Sequence, residues 1–452
     1  MFVLDKKTNK IVEKEITFTP GLYKIFDEIV VNAADNKQRD PNMTEIHITV
    51  DQESNRVTVK NNGNGIPVEM HKKEKCYVPS LIFGELLTGS NFDDDEAKTT
   101  GGRNGYGAKL ANIFSLKFSV ECLDSKQGKK FTQTFRNNMG IKEEPIVKNC
   151  TASEKKKGDY TQITFEPDLD RFKMGSFDDG TVELLSKRAY DIAGAMAMST
   201  GKKLSVFLNK EKLPIKNFKD YLKAFEGINA PVAYEKIGDR WEVGVAPSQD
   251  GTAQQISFVN AICTSKGGGH VSYIADQIAN HLVKTVKKKN KGSTTVTANN
   301  IKSHLCVFVN CLVENPTFDS QTKENCTTRP KSFGSECKLP DKFLKQVDKS
   351  EIVQQVLSYA NFKQNQALKR KGGVKKVRLT GIEKLDDANN AGSAKSRECT
   401  LIITEGDSAK SLAMSGLSIV GRDYYGVFPL RGKPLNVRDT GDKKATGRSE
   451  SS

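Results

Sequence analysis

Glu28-Ile29-Val30-Val31-Asn32-Ala33-Ala34-Asp35-Asn36 is the stretch from which the fold is read. Positions four apart share a helix face, so Glu28, Asn32 and Asn36 align toward one partner while Ile29, Val30 and Ala33 pack inward. Such a face is often no more than the solvated side of an amphipathic helix. It is also what nucleotide hydrolysis uses. The carboxylate takes a proton from water, and an amide one turn on ligates Mg2+ without adding charge beside the phosphates. A second stretch, Asn61-Asn62-Gly63-Asn64-Gly65-Ile66, follows a predicted strand over 56–60 and reads as a tight turn placing Asn61 over a pocket. The third is Gly101-Gly102-Arg103-Asn104-Gly105-Tyr106-Gly107-Ala108-Lys109. Its glycines let backbone N–H groups approach an anion closely, just ahead of a predicted helix over 109–114. It is not a Walker A loop, because Ala108 and Lys109 follow Gly107 where that motif needs Lys-Ser/Thr. Any one of the three is compatible with a plain flexible loop; all three in this order specify an ATP site.

Composition bounds the rest. A chain of 452 residues can hold two or three domains and a sizeable core, and 37% hydrophobic residues suit a soluble globular protein. No apolar run approaches a membrane span, and no signal-peptide core is present. Seventy basic against 55 acidic residues leave +15, a balance that favours a polyanion partner, though solubility alone could explain it. Nine scattered cysteines form no Cys-x-x-Cys pair, and the five histidines are equally dispersed, so neither a disulfide framework nor a zinc site is expected. A reducing interior, cytosol or nucleus, fits.

Along the chain, residues 1–205 alternate strand-like and helical segments with the three motifs on their connections. Residues 46–50 and 56–60 read as a hairpin, and 131–135 and 160–165 continue the sheet. The polar segment 91–101 reads as a nucleotide lid or, equally, a solvated loop. A second domain is expected over 206–385, with strands at 204–208, 241–245, 255–259 and 305–309. Between the last two, Val271, Ile274, Ile278, Leu282 and Val286 recur at helical spacing. That helix runs into Lys287, Lys288 and Lys289, which suit a helix C-terminus and are candidate phosphate contacts. Residues 363–398 read as a basic helix grading into a polar, mobile linker around 386–393. Residues 399–403 then read as a buried strand delivering Glu405 to a helix cap, a setting in which a carboxylate can serve as a metal ligand.

Taken together these words resemble the eukaryotic type II DNA topoisomerases over nearly the whole chain. The resemblance is carried by 21–28 running into 32–40, by 100–109, by Asp319-Ser320-Gln321-Thr322-Lys323-Glu324-Asn325, by Glu405-Gly406-Asp407-Ser408-Ala409-Lys410 and by Phe428-Pro429-Leu430-Arg431-Gly432-Lys433. It implies an α+β chain: a Bergerat-type (GHKL) ATPase α/β sandwich, then a transducer domain (ribosomal S5 domain 2-like), then a partial Toprim α/β domain over 386–452. It further implies that Glu28 activates the attacking water, that Asn32 holds Mg2+ and that Asn61 reads the adenine. Ser90 and Asn91 would touch ribose and phosphates. Gly102, Arg103, Asn104, Gly105, Tyr106, Gly107, Ala108 and Lys109 would wrap the triphosphate. Lys323, on the Gln321-Thr322-Lys323 loop, would reach the γ-phosphate. Glu405 resembles the first Toprim metal ligand, and Lys433 and Asn436 fall on DNA-contacting positions.

The implied function is the ATP-driven clamp of an enzyme that passes one DNA duplex through another, a nuclear homodimer at full length. A mismatch-repair or chaperone ATPase is the alternative within the fold, disfavoured by 405–410. A catalytically dead binding module is the alternative outside it. The family's N-terminal arm, later Asp-x-Asp pair and cleaving tyrosine are not among these residues, so strand cleavage is not expected from this chain alone.

Overall fold

The first helix forms where its sequence dictates. Pro20 supplies a fixed φ at its start, and Leu22, Ile25, Phe26, Ile29, Val30, Ala33 and Ala34 repeat at three- and four-residue spacing. The helix spans Pro20–Arg39 and all seven side chains are buried. A computed structural model describes residues 1–85, 99–100, 105–198, 201–227, 233–248, 251–289, 296–371, 382 and 384–430. Among the described residues, those within 1–289 and 296–356 pack as one unit, and those from 357 onward form a second.

The first helix lies on a nine-stranded sheet. Its spatial order is Glu211–Lys212, Ser205–Leu208, Glu45–Asp51, Arg56–Asn62, Tyr160–Pro167, Ser115–Asp124, Lys129–Arg136 and Ile141–Lys142, with Ile146–Asn149 also paired to Lys129–Arg136. The expected hairpin is present, Ile48 facing Val59 across an antiparallel pair. Strict alternation buries Val57, Val59 and Asn61 on one face of Arg56–Asn62, the face the first helix packs against. Asn61 therefore sits inside the strand, not in the turn where the sequence placed it. The turn begins at Gly63, whose φ is +90° and where a Cβ would meet Asp40 and Met43.

Strand Ser205–Leu208 is a correction to the expected organisation. It pairs in parallel with Glu45–Ile48 of the first sheet and does not open the second. Its alternating apolar residues mark a strand without saying which neighbour buries it. The second sheet has the order Ala233–Ile237, Trp241–Pro247, Leu305–Cys311, Gln254–Val259 and Ile262–Cys263. Gln254–Val259 and Leu305–Cys311 run parallel, a pairing that needs a long crossover, and helix Gly269–Lys289 provides it. Ile274, Ile278, Leu282 and Val286 are fully buried along that helix, as their spacing predicts.

In the second unit, Thr400–Glu405 pairs in parallel with Tyr425–Leu430, and helix Gly406–Val420 connects them. The strand expected there to be buried is not. Leu401 and Ile403 are half exposed, because a two-stranded sheet has no interior strand. The segment read as a mobile linker is also docked: Asp386 exchanges two backbone hydrogen bonds with Val427, and Asn389 N–H donates to the Arg422 carbonyl. Among the described residues no helix is long and apolar enough to cross a membrane. None of the nine cysteines is disulfide-bonded.

Candidate active site

Glu28 is 4% exposed, on the flank of the first helix. Its Oε1 accepts from two ammonium groups: Lys24 Nζ at 2.7 Å, one turn earlier on the same helix, and Lys323 Nζ at 3.2 Å. Residues 295 positions apart thus meet on one carboxylate oxygen. Lys323 is 9% exposed and adopts φ +59°, a left-handed conformation that side chains rarely take, at the tip of the loop that follows Asp319. Strain of this kind persists where surroundings over-determine it. Here Lys323 N–H donates to the Ser320 carbonyl, and the Glu324 carboxylate is gripped by Lys266 at 2.8 Å.

The end of the third motif, from Gly107, closes over the same carboxylate. Helix Gly107–Ile113 packs on the first helix, and a Cβ at Gly107 would overlap Glu28 Oε2 and lie 2.8 Å from its Cδ. Glycine is required there by close approach. Gly107→Ala is expected to push Glu28 off its position and lower ATP hydrolysis at least tenfold with the fold retained, since a displacement near 1 Å can cost about a hundredfold. Unchanged turnover in a steady-state assay would show that the carboxylate position is not critical. Lys109, two residues on, is 2% exposed, and burial pushes its ammonium down to about 8. An anion beside it would relieve that desolvation cost.

Asn32 and Asn36 follow Glu28 at four-residue steps and are half-buried; Asn36 Nδ2 lies 3.6 Å from Met43 Sδ. Asn61 is 6% exposed and its Nδ2 donates to the Asn62 carbonyl. Tyr106 is exposed and Ala108 buried, while Gly105 has φ +64°. Gln321 is exposed, and Thr322 Oγ1 sits 2.7 Å from Ser320 Oγ. Ser90, Asn91, Gly102, Arg103, Asn104, Lys433 and Asn436, and most of the expected lid, lie outside the described residues. Glu405 ends its strand, exposed, in the other unit. Among the described residues no three His, Cys, Asp or Glu side chains cluster as a metal site. A neutral amide such as Asn32 suits Mg2+ only when phosphate oxygens complete its shell, the usual arrangement for that ion.

Sequence reasoning missed the polar residues behind Glu28. Asp27 is 3% exposed and pairs with Arg188 Nε at 2.6 Å and Lys24 Nζ at 3.3 Å. Burial alone would raise the Asp27 carboxyl, but Arg188 and then Lys24 hold it below the usual value. Burial would likewise depress Lys24, which Asp27 and Glu28 keep above the ordinary lysine value. Lys24 was legible as the residue four before Glu28. Arg188 carried no local signal.

Residues 19–170 match the family described as histidine kinase-, DNA gyrase B-, and HSP90-like ATPase, and residues 201–374 match DNA gyrase B. The crystal structure of the ATPase and transducer domains of DNA topoisomerase II from Balamuthia mandrillaris is 48% identical, with a TM-score of 0.75 over 81% of this chain and 91% of that one. The chain belongs to the type II DNA topoisomerase family. The ATPase region of Saccharomyces cerevisiae topoisomerase II is 44% identical, with a TM-score of 0.73 over 80% of this chain and 92% of that one. Human DNA topoisomerase 2-alpha is 55% identical over the whole of this chain, which spans 29% of that relative. The histidine kinase-, DNA gyrase B-, and HSP90-like match at 19–170 thus covers the first helix and most strands of the nine-stranded sheet, and the DNA gyrase B match at 201–374 covers the five-stranded sheet.

Proposed function

We propose that this chain binds and hydrolyses ATP, with Glu28 as general base and Lys323 as the contact that reports the γ-phosphate to the transducer domain. It would serve within an enzyme that passes one DNA duplex through another. The observation that carries the reading is the meeting of Lys323 and Glu28 at 3.2 Å. A base near the attacking water and a cation near the terminal phosphate must lie within a few ångströms of each other. Asn61 would recognise the adenine from the strand interior, and Gly105, Tyr106, Gly107 and Lys109 would hold the phosphates together with Gly102, Arg103 and Asn104. Mg2+, held by the Asn32 amide oxygen and phosphate oxygens, would offset phosphate charge when bound. The chain's own residues supply the rest. Lys24 fixes one oxygen of Glu28, and the other faces Gly107.

The duplex partner, the full-length homodimer and a nuclear location belong to the same proposal, as do a Toprim role for Glu405 over 386–452 and a division of the rest into ATPase and transducer parts, the boundary lying after Lys212 so that Ser205–Leu208 and Glu211–Lys212 stay with the first sheet. Steady-state ATP hydrolysis with and without supercoiled DNA tests it, since stimulation by DNA is expected of a clamp and not of a chaperone-type ATPase.

Lys287 and Lys288 are exposed at the end of helix Gly269–Lys289. Replacing Lys287, Lys288 and Lys289 with alanine is expected to weaken duplex binding and flatten its salt dependence. The log–log slope should fall by roughly one unit for each phosphate no longer neutralised, with sequence preference unaltered. Basal ATP hydrolysis should stay as it was. An unchanged salt slope would return these lysines to the solvated surface.

A further inference from the structure

Behind Glu28 runs a continuous buried chain of charge. Lys24 Nζ bridges Glu28 Oε1 at 2.7 Å and Asp27 Oδ2 at 3.3 Å. Asp27 Oδ1 accepts from Arg188 Nε at 2.6 Å, and Arg188 Nη2 donates to the Ala261 carbonyl at 2.7 Å. Arg188 is fully buried on helix Asp179–Ala195 of the ATPase domain, and its remaining nitrogen, Nη1, has no hydrogen-bond partner among the described residues. Ala261 belongs to the transducer sheet. The transducer therefore touches the catalytic carboxylate from both ends, through Lys323 directly and through Ala261 by way of Arg188, Asp27 and Lys24.

The far end of this chain is a shaped element. Asn260 and Ala261 have φ of +50° and +63°, two consecutive left-handed residues that make a two-residue hairpin turn between Gln254–Val259 and Ile262–Cys263. Asparagine suits such a turn; alanine does not, so the carbonyl that Arg188 uses is presented by strained backbone. Asn260 is fully buried. Its Oδ1 accepts from Val313 N–H and its Nδ2 donates to the Val313 carbonyl, both at 2.9 Å, and Nδ2 also lies 3.4 Å from the Thr100 carbonyl. Val313 begins the segment that leads to Lys323, and Thr100 precedes the glycine-rich run. One turn thus holds the root of the Lys323 loop, the approach to the phosphate loop and, through Arg188, the helix that carries Glu28.

We propose that the Asn260–Ala261 turn is a second coupling contact between transducer and catalytic carboxylate, with Arg188 and Asp27 as positioning residues for Glu28. This rests on the nucleotide reading above. A shift of the transducer that moves Lys323 must also move the Ala261 carbonyl, and Arg188 then either follows it, dragging Asp27 and Lys24, or releases it. In a site this closed to water each such contact is strong enough to be felt at Glu28. An ordinary buried ion pair that merely glues two domains would affect stability alone.

The test compares wild type with Arg188→Lys, which keeps the charge but replaces the separate Nε and Nη2 donors to Asp27 and Ala261 with one ammonium, with the isosteric Asp27→Asn, and with the double variant. Steady-state ATP hydrolysis, ADP affinity by calorimetry and melting temperature are measured on each. Each single variant is expected to lower kcat roughly fivefold or more, the lower range of coupling between sites, with ADP affinity unchanged. The double variant should be no worse than the poorer single, because both break one tether. A lower melting temperature with unchanged kcat, or losses that multiply in the double variant, overturns the proposal. If Arg188→Lys does not fold, Asp27→Asn carries the test by the same kcat criterion. A wild type that neither binds nor hydrolyses ATP sinks the nucleotide reading and this one together, whereas active wild type with equally active variants sinks this one alone.

Discussion

Glu28→Gln is expected to leave ATP binding nearly intact and to cut hydrolysis a hundredfold or more, the general range for removing a catalytic base. Oε1 is occupied by Lys24 at 2.7 Å and Lys323 at 3.2 Å, and Oε2 faces the backbone at Gly107. Glutamine keeps that shape, and its carbonyl oxygen can still accept from the two lysines. What it lacks is a basic oxygen to take the proton of the attacking water. The side chain is 5% exposed, so bulk water offers no substitute base at that position. Binding should survive because the expected purine and phosphate contacts, Asn61 and the 102–109 run, do not involve this carboxylate. Calorimetric titration with ATP beside a steady-state turnover assay separates the two effects. Turnover near the wild-type rate in the glutamine variant would falsify the assignment of Glu28 as the base.

Much of this was legible in the sequence, and the limits have physical causes. That Glu28 to Asn36 lie on a helix was readable because Ile29, Val30 and Ala33 repeat with helical period, while the start at Pro20 and the end at Arg39 were not assigned. The hairpin over 46–60 was readable from its alternation. What alternation does not carry is the identity of the neighbouring strand, and Ser205–Leu208 was therefore assigned to the wrong sheet. Asn61 was placed in a turn because asparagine and glycine follow it, yet its backbone pairs with Ile46 on one side and Thr161 on the other. The docked 386–393 segment was misread for a similar reason: polar composition suggests a linker, but the backbone bonds that fix it are invisible to composition. Within the site, the relation of Glu28 to Asn32 is local and could be read from spacing. The approach of Lys323 was reachable only by resemblance, being 295 residues distant. The pairing of Asp27 with Arg188, 161 residues apart, left no trace in either motif.

Lys323→Ala is expected to weaken ATP far more than ADP. Losing one charge-assisted hydrogen bond to a buried anion is worth about 1.5–3 kcal/mol, or roughly ten- to over a hundredfold in affinity. ADP has no γ-phosphate for the ammonium to hold, so its affinity should move by about twofold at most. Turnover should fall as well, because the lysine proposed to reach the phosphate also steadies Glu28 Oε1 at 3.2 Å. A confounding effect comes from the backbone. At φ +59° an alanine retains the left-handed strain of about 1–2 kcal/mol that glycine would escape. Lys323→Gly removes the ammonium while relieving that strain, so it separates the two causes. If the ammonium matters, both variants lose the preference for ATP over ADP to the same degree, and glycine differs only by a higher melting temperature. If the loop conformation matters instead, glycine departs from alanine in nucleotide preference. Equal losses for ATP and ADP in both variants would place Lys323 away from the γ-phosphate and leave its contact with Glu28 as a structural ion pair.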